Sequence, residues 1–334
     1  MTDGVVVVDK PRGMTSHDVV DEVRRLFRIR KVGHAGTLDP DATGVLVLGL
    51  GRCTRLLDYA RFGAKRYFAE ASFGVTTTTQ DSSGEELYRR ACTFTEADLL
   101  AALPEFEGAI EQVPPMVSAV RVGGERLYDK ARRGEVVERA ARPVVIHELK
   151  LLSFSEESSG RDRSEPHAAF EVCCSAGTYV RTLVHDLGGA LGCGAHLSSL
   201  RRTEAAGFEV AEAVPLGDLE TSHLLPPLEA LRGMPRIEVS DEDAARVSHG
   251  GPLQAAQEPA TLSTRSSSGS LTPSTRSSSG SLTPSTRSSS GSLTPSTRSS
   301  SGPLERVALV HGGVLLGVYR RESSRWVAER VMPS

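Results

Sequence analysis

The chain has 334 residues, 39% of them hydrophobic, enough to bury a core in one large or two ordinary domains. Its formal net charge of −3 excludes a generic polyanion binder of strongly basic composition, so any contact with nucleic acid has to come from local charge. The five cysteines, Cys53, Cys92, Cys173, Cys174 and Cys193, contain no CxxC pair and no zinc-ribbon spacing, which points to a reducing cytoplasm and to no metal site. No apolar run approaches the roughly 18 residues of a membrane helix, and no signal-like segment opens the chain, so a soluble, unexported protein is expected.

In chain order, Gly4 to Val8 reads as a buried strand, followed by a turn at Lys10-Pro11-Arg12-Gly13. A helix follows, with Thr15 and Asp18 at capping-box spacing and Val19, Val20, Val23, Leu26 and Phe27 at helical period. Residues 33 to 44 show no usable periodicity and three glycines, which predicts a structured loop; Val45 to Leu50 returns to strand. Arg66 to Phe73 predicts another strand, Thr95 a helix start with Asp98 at the capping-box position, Ala169 to Ser175 a strand, and Tyr179 to Leu191 a helix weakened by Gly188 and Gly189. Strands and helices interleave throughout, which favours a mixed α+β or α/β domain.

From Ser263 an eleven-residue unit, Ser-Thr-Arg-Ser-Ser-Ser-Gly-Ser-Leu-Thr-Pro, repeats three times and trails off at Gly302. With one Leu per repeat it cannot bury enough apolar surface to offset ordering, about 1–2 kcal/mol per residue, so 263–302 is expected to be a disordered insertion. Strand-like sequence resumes at Val307 to Val310 and Val314 to Tyr319, around a His311-Gly312-Gly313 turn. The expected division is therefore a domain over 1–230 and a smaller, β-rich one over 236–334, interrupted by the repeats.

Asp39 is the first candidate for chemistry. A carboxylate followed by proline in a glycine-rich loop is held by a constrained backbone where a substrate can approach; an Asx-type turn is the alternative reading of the same residues. Asp41, two positions on, is expected to be a surface charge. Two basic segments stand out against the net charge. Residues 1–66 carry twelve Lys and Arg against eight Asp and Glu, with Arg24, Arg25, Arg28, Arg30 and Lys31 inside eight positions, and Arg121, Arg126, Lys130, Arg132 and Arg133 form the second. Either could meet phosphates, although a charge run is more often a solvated face.

The stretch from Lys31 to Gly44, with Gly-Thr-Leu-Asp-Pro at its centre, resembles the catalytic loop of TruB-type pseudouridine synthases of transfer RNA. Lys10-Pro11 with Gly13 and Thr15-Ser16, Lys65-Arg66-Tyr67, Tyr128 with Ala131 to Gly134, Gly177 to Leu183, and Gly192 to His196 with Leu200-Arg201-Arg202 match in family order, over about residues 4 to 208. The resemblance implies an α+β catalytic domain on a mixed, mostly antiparallel sheet, with a small PUA-like β domain that contacts RNA. It implies isomerisation of uridine 55 in the T-arm of transfer RNA, with no cofactor and no metal, by a monomeric enzyme that extrudes the base. Asp39 is then the catalytic carboxylate, as nucleophile at C1′ or as base on the sugar. Arg181 pairs with it, Tyr67, Tyr179 and Leu200 contact the uridine, and His34 fills the space the uridine leaves. Lys10, Lys65, Arg132 and Arg202 are the expected RNA contacts. Thr78, within Thr77 to Asp81, stands where the family often has an acidic residue, and Asp41 where an apolar one is commoner; neither is expected to touch the catalytic set. Two other functions fit the same fold: a non-catalytic chaperone of transfer RNA, which predicts loss of Asp39 or Arg181, and a guide-RNA-dependent synthase.

Overall fold

Gly4–Lys10 forms β1, where four consecutive valines suit a strand covered on both faces, and Val5, Val6, Val7 and Val8 are all buried. The computed structural model describes residues 3–254 and 306–332, apart from 62, 119, 136 and 160–162; the repeats at 263–302 lie outside the described residues. Helix α1 (Ser16–Phe27) begins where expected. Thr15 Oγ1 accepts from the Asp18 amide while the Asp18 carboxylate accepts from the Thr15 amide, and Val19, Val20, Val23 and Phe27 pack on Val6, Val8, Leu46 and Leu48.

Then come β2 (Val32–His34), β3 (Thr43–Leu50), α2 (Leu57–Arg61), β4 (Lys65–Phe73), a β5–β6 hairpin (Val75–Thr77, Glu86–Arg89), α3 (Glu96–Ala102) and β7 (Gly108–Gln112). After β8 (Arg121–Val122), β9 (Glu125–Arg126) and α4 (Leu127–Arg132) the chain makes β10 (Arg142–Ser159), β11 (Arg163–Cys174), α5 (Val180–Ala190), β12 (Ala195–Ala205), β13 (Phe208–Glu209) and β14 (Val214–Pro215). The main sheet runs β14-β1-β3-β12-β4-β11-β10-β7, with β2 beside β3 and β13 beside β12. Only β1·β14 and β3·β12 are parallel, so the sheet is mixed and mostly antiparallel, as the resemblance implies.

Two boundaries differ from the sequence reading. The predicted loop over 33–44 is strand at both ends. Val32, Gly33 and His34 pair with Leu50, Gly49 and Leu48, because main-chain pairing to β3 needs no side-chain alternation there. Helix α5 keeps Gly188 because the start of β12 crosses it: a Cβ there would stand 2.3 Å from the Ala195 amide nitrogen. The glycine is the price of that close approach.

The chain divides into two compact units, Met1–Gly233 and Met234–Ser334. The second holds β15 (Arg236–Glu238), α6 (Asp241–Val247), β16 (Leu253–Gln254), β17 (Arg306–His311), β18 (Val314–Glu322) and β19 (Arg325–Val331), in the sheet order β15-β17-β18-β19-β16. Gly312 and Gly313 both have positive φ and make the tight β17–β18 turn that the sequence indicated. Trp326, Tyr319, Val307 and Leu309 form its core. Strand β19 went unread in the sequence because charged residues interrupt its apolar positions.

Candidate active site

The Asp39 segment is a loop between β2 and β3 that the rest of the unit ties down at almost every residue. Ser16 Oγ accepts from the Leu38 amide at 2.8 Å and donates to the Leu38 carbonyl at 3.1 Å. Lys10, with no exposed surface, donates from Nζ to the carbonyls of Pro11, Met14 and Pro40, and the Gly13 amide also donates to Pro40. Burial pulls the Lys10 pKa down to about 8, with Asp39 and Asp41 opposing. On the other side Arg202, 2% exposed, donates from Nε to Val45 O at 2.7 Å and through its two amino groups to Thr37 O and Gly36 O. Gly44 has φ 101°, and a Cβ there would lie 2.2 Å from Arg202 O, so only glycine lets β3 and β12 approach at this point.

Arg181 reaches the loop from the first turn of α5. Its side chain is 5% exposed, and Nε stands 3.0 Å from Asp39 Oδ2. Nη1 donates to Thr79 O at 2.9 Å and meets Asp81 Oδ2 at 3.2 Å, while Nη2 donates to Val117 O at 3.0 Å. The guanidinium thus links two carboxylates in fixed geometry. Asp81 is itself fixed, since its Oδ1 accepts from the Ser83 amide and from the Thr79 and Ser83 hydroxyls. The start of α5 lacks a side-chain cap of its own. Gln112, 2% exposed at the end of β7, supplies the equivalent by accepting from the Tyr179 amide and donating to the Tyr179 carbonyl.

A cavity of about 350 Å³ opens beside Asp39, at the small end of the roughly 300–1,000 Å³ range of ligand sites and of a size for one nucleotide. The structure brings Asp39, Tyr67, Tyr179, Arg181 and Leu200 together on its wall, with Lys65 and Arg202. Asp39 is 41% exposed, towards this space. Enclosure raises its pKa above the ordinary 3.8, with Arg181 pulling it down and Asp81 pushing it up. Tyr67, buried on β4, is raised by the same burial and stays a neutral phenol.

The residues expected to contact RNA are held differently. Lys10 and Arg202 were expected at an RNA surface, yet both are buried against main-chain carbonyls beneath the loop, because a cation enclosed at a loop base is stable only when its donors are matched. Lys65 lines the cavity, but its Nζ donates to Arg61 O and Gly63 O, and burial lowers its pKa to about 8. His34 is half-buried outside the cavity lining. Its Nδ1 accepts from the Gly36 amide, and burial, then Arg61 and Arg202, bring its pKa down to about 4, so the ring is neutral. Arg132 ends α4, and its side chain lies outside the described residues.

Asp41 is a surface charge as expected, paired with Arg12 at 3.2 Å with both side chains largely exposed. Asp81 and Gln112 were missed. The Thr77 to Asp81 stretch, read only for Thr78, carries the second carboxylate on Arg181. The Thr79-x-Asp81-x-Ser83 spacing, typical of a turn braced by its own side chains, was the available signal. Among the described residues no group of three or more His, Cys, Asp or Glu could hold a metal ion, and no helix is long and apolar enough to cross a membrane.

Comparison with known proteins follows the same residues. The model of the TruB family pseudouridylate synthase N-terminal domain matches residues 24–180, and that of the tRNA pseudouridylate synthase B C-terminal domain matches 181–230. A tRNA pseudouridine synthase B from Symbiobacterium thermophilum is 53% identical over 251 residues, 74% of this chain and 82% of the relative. The one from Thermobifida fusca is 48% identical over 75% of this chain and 86% of its own length. Among solved structures, a Cbf5-Nop10-Gar1 complex superposes over 99% of this chain and 86% of the matched chain, with a TM-score of 0.66 and 24% identity, which establishes the shared pseudouridine synthase fold.

Proposed function

The chain belongs to the TruB family of pseudouridylate synthases, and on that premise we propose that it isomerises uridine 55 in the T-arm of transfer RNA, with Asp39 as the catalytic carboxylate. It is a pseudouridine synthase of transfer RNA, like the relatives that share about half its residues over three quarters of its length. The observation that carries the assignment of Asp39 is the Asp39–Arg181 contact of 3.0 Å at the wall of a nucleotide-sized cavity.

The reaction breaks the C1′–N1 bond, turns the uracil and rejoins it through C5; C5 loses its proton and N1 takes one up, leaving the atoms of the nucleoside unchanged in number. It needs one group that can act on the sugar and release it again. Asp39 supplies this, either by adding to C1′ or by taking a sugar proton, and a raised pKa makes the carboxylate the stronger base or nucleophile once ionised. Arg181 fixes its direction and favours its charged form. Hydrolysis of a glycosidic bond would instead use a second carboxyl group and an activated water. Asp81 is not free for that role, because Arg181, Thr79 and Ser83 occupy it. Tyr67, Tyr179 and Leu200 give the cavity the flat and apolar surfaces that hold a base removed from its stack.

Lys10 and Arg202 act in this reading by holding the loop, and contacts to phosphates come from exposed cations such as Arg28, Arg30 and Lys31. The unit from Met234 onward adds further RNA contacts, in a protein of the cytoplasm where transfer RNA is found. A chaperone without catalysis would not need a carboxylate fixed by a buried guanidinium. A guide-RNA-dependent mode has only the fold in its favour, at 24% identity.

The test is pseudouridine mapping on an unmodified transfer RNA transcript incubated with the protein. A single modified uridine at position 55 supports the reading; binding without modification would replace it with the chaperone function.

A further inference from the structure

Arg181 can aim Asp39 only if its own main chain is held, and the start of α5 has little of its own to hold it. The N-cap, Tyr179, has extended backbone at φ −103° and ψ 104° and no side-chain cap, so its amide finds no partner within the helix. The approach adds no hold: Gly177, two residues earlier, has φ 90° with open space where a Cβ would stand. The fixed point comes from another strand. Gln112 ends β7, 2% exposed, and both ends of its amide engage one residue: Oε1 accepts from the Tyr179 amide at 2.9 Å and Nε2 donates to Tyr179 O at 3.2 Å. The same carbonyl accepts from the Leu183 amide at 3.0 Å, the first i to i−4 bond of the helix. Gln112 is itself part of the main sheet, opposite Arg142 of β10. The chain leaves β7 through Val113-Pro114-Pro115, stiffened by two ring-locked φ angles, and Pro114 O accepts from Arg139 Nη1 at 3.0 Å. It comes back to Arg181 at Val117, whose carbonyl accepts from Nη2 at 3.0 Å. One short segment thus grips the main chain at the helix start and the far end of the arginine.

Resting on the function proposed above, we infer that Gln112 is a positioning residue for the reaction: its amide fixes the start of α5 in the frame of the main sheet, so that Arg181 meets Asp39 at the distance and direction the chemistry needs. Gln112 is not on the cavity wall, so it acts through Tyr179 and Arg181, which are. Asp39 reports on that geometry. The charged groups around it are Arg181 on α5, Asp81 in the turn after β5, Lys10 on β1 and Asp41 in its own loop, with the Tyr67 phenol of β4 beside it. Of the two cations Arg181 acts more strongly, holding the Asp39 pKa down against burial. A guanidinium displaced from Asp39 releases that hold, and the pKa rises further.

Gln112→Met keeps the bulk of the side chain and removes both bonds to Tyr179. It is compared with wild type for the pH dependence of the single-turnover rate on a transfer RNA transcript at saturating protein, the affinity for that transcript and the thermal midpoint. The expected result is a rate at neutral pH about tenfold to a hundredfold lower, affinity within about threefold, and an acid limb whose midpoint moves to higher pH by about half a unit or more. A lower thermal midpoint with the rate and acid limb of wild type makes Gln112 purely structural and overturns the proposal. So does a lower rate whose acid limb stays in place, because Arg181 has then kept its hold on Asp39. If the methionine variant does not fold, Gln112→Asn, which keeps the amide but falls one methylene short of Tyr179, takes its place under the same criteria. Wild-type protein that forms no pseudouridine at all overturns the function and this role with it; an active wild type that the variant matches in rate and acid limb overturns the role alone.

Discussion

Arg181 and Arg202 are buried arginines on the wall of one cavity, and they serve it by different means. Arg202 donates to the neutral carbonyls of Val45, Thr37 and Gly36, so it shapes the backbone, and its charge, uncompensated by any carboxylate in those contacts, adds to the burial that lowers the pKa values of Lys65 and His34. Arg181 bonds two carboxylates, so it sets the charge and aim of Asp39, the group proposed to react. The same residue type builds the scaffold on one side and the chemistry on the other, and what separates the two roles is the identity of the acceptors.

That contrast can be broken most sharply at Arg181. Arg181→Met leaves Asp39 and Asp81 facing the same space without a cation, and the single-turnover rate should fall by about a thousandfold or more, with a stability loss of about 3–5 kcal/mol in denaturant titration. Arg181→Lys should recover little of the rate, because an ammonium cannot meet both carboxylates in the geometry of a planar fork. A lysine variant at the wild-type rate would erase the distinction drawn here.

Arg202→Met should show the reverse balance. Three main-chain carbonyls lose their donor, costing about 2–5 kcal/mol of stability by denaturant titration, while the protein that remains folded keeps more activity than the Arg181 variants. If the rate loss equals that of Arg181→Met, the two arginines belong to one functional unit.

A pH profile sharpens the comparison without mutation. As the proposed nucleophile or base Asp39 acts ionised, and burial raises its pKa above 3.8, so the single-turnover rate should fall on acidification with a midpoint above that value. The stability effect has the opposite sense. The folded state holds the Asp39 proton to higher pH than the unfolded chain does, so this group's contribution to stability decreases as pH rises from 3.8 through the raised value. An acid limb with its midpoint at or below 3.8 would contradict the enclosure of Asp39. The smallest effect belongs to Arg12→Ala: its pair with Asp41 is exposed, and its loss should change stability by less than about 1 kcal/mol and the rate by less than twofold, in the same two assays.

Sequence pattern revealed elements whose signal is local. The Thr15–Asp18 and Thr95–Asp98 capping boxes and the valine run of β1 specify their structures within a few residues, and all three appear. Strand β2 was hidden because its pairing to β3, not its side chains, makes it a strand. In the site, the resemblance placed Asp39, Tyr67, Tyr179, Arg181 and Leu200 together, and they share one cavity. It did not distinguish a cation that faces solvent from one that faces carbonyls, which is how Lys10 and Arg202 were assigned to RNA. Asp81 and Gln112 lie 100 and 67 residues from the groups they hold, so the Thr79-x-Asp81-x-Ser83 spacing could signal a braced turn but not its partner Arg181.

The most direct test of the central claim is Asp39→Asn, which keeps the size of the side chain and removes its charge. Wild type and variant are compared for pseudouridine formation in a single turnover, for binding of the same transcript and for thermal midpoint at neutral pH. The account predicts no product above background, undiminished binding, and a midpoint that is unchanged or raised, because a carboxylate with an elevated pKa is no longer forced to ionise. Product formed by the variant at the wild-type rate would contradict it.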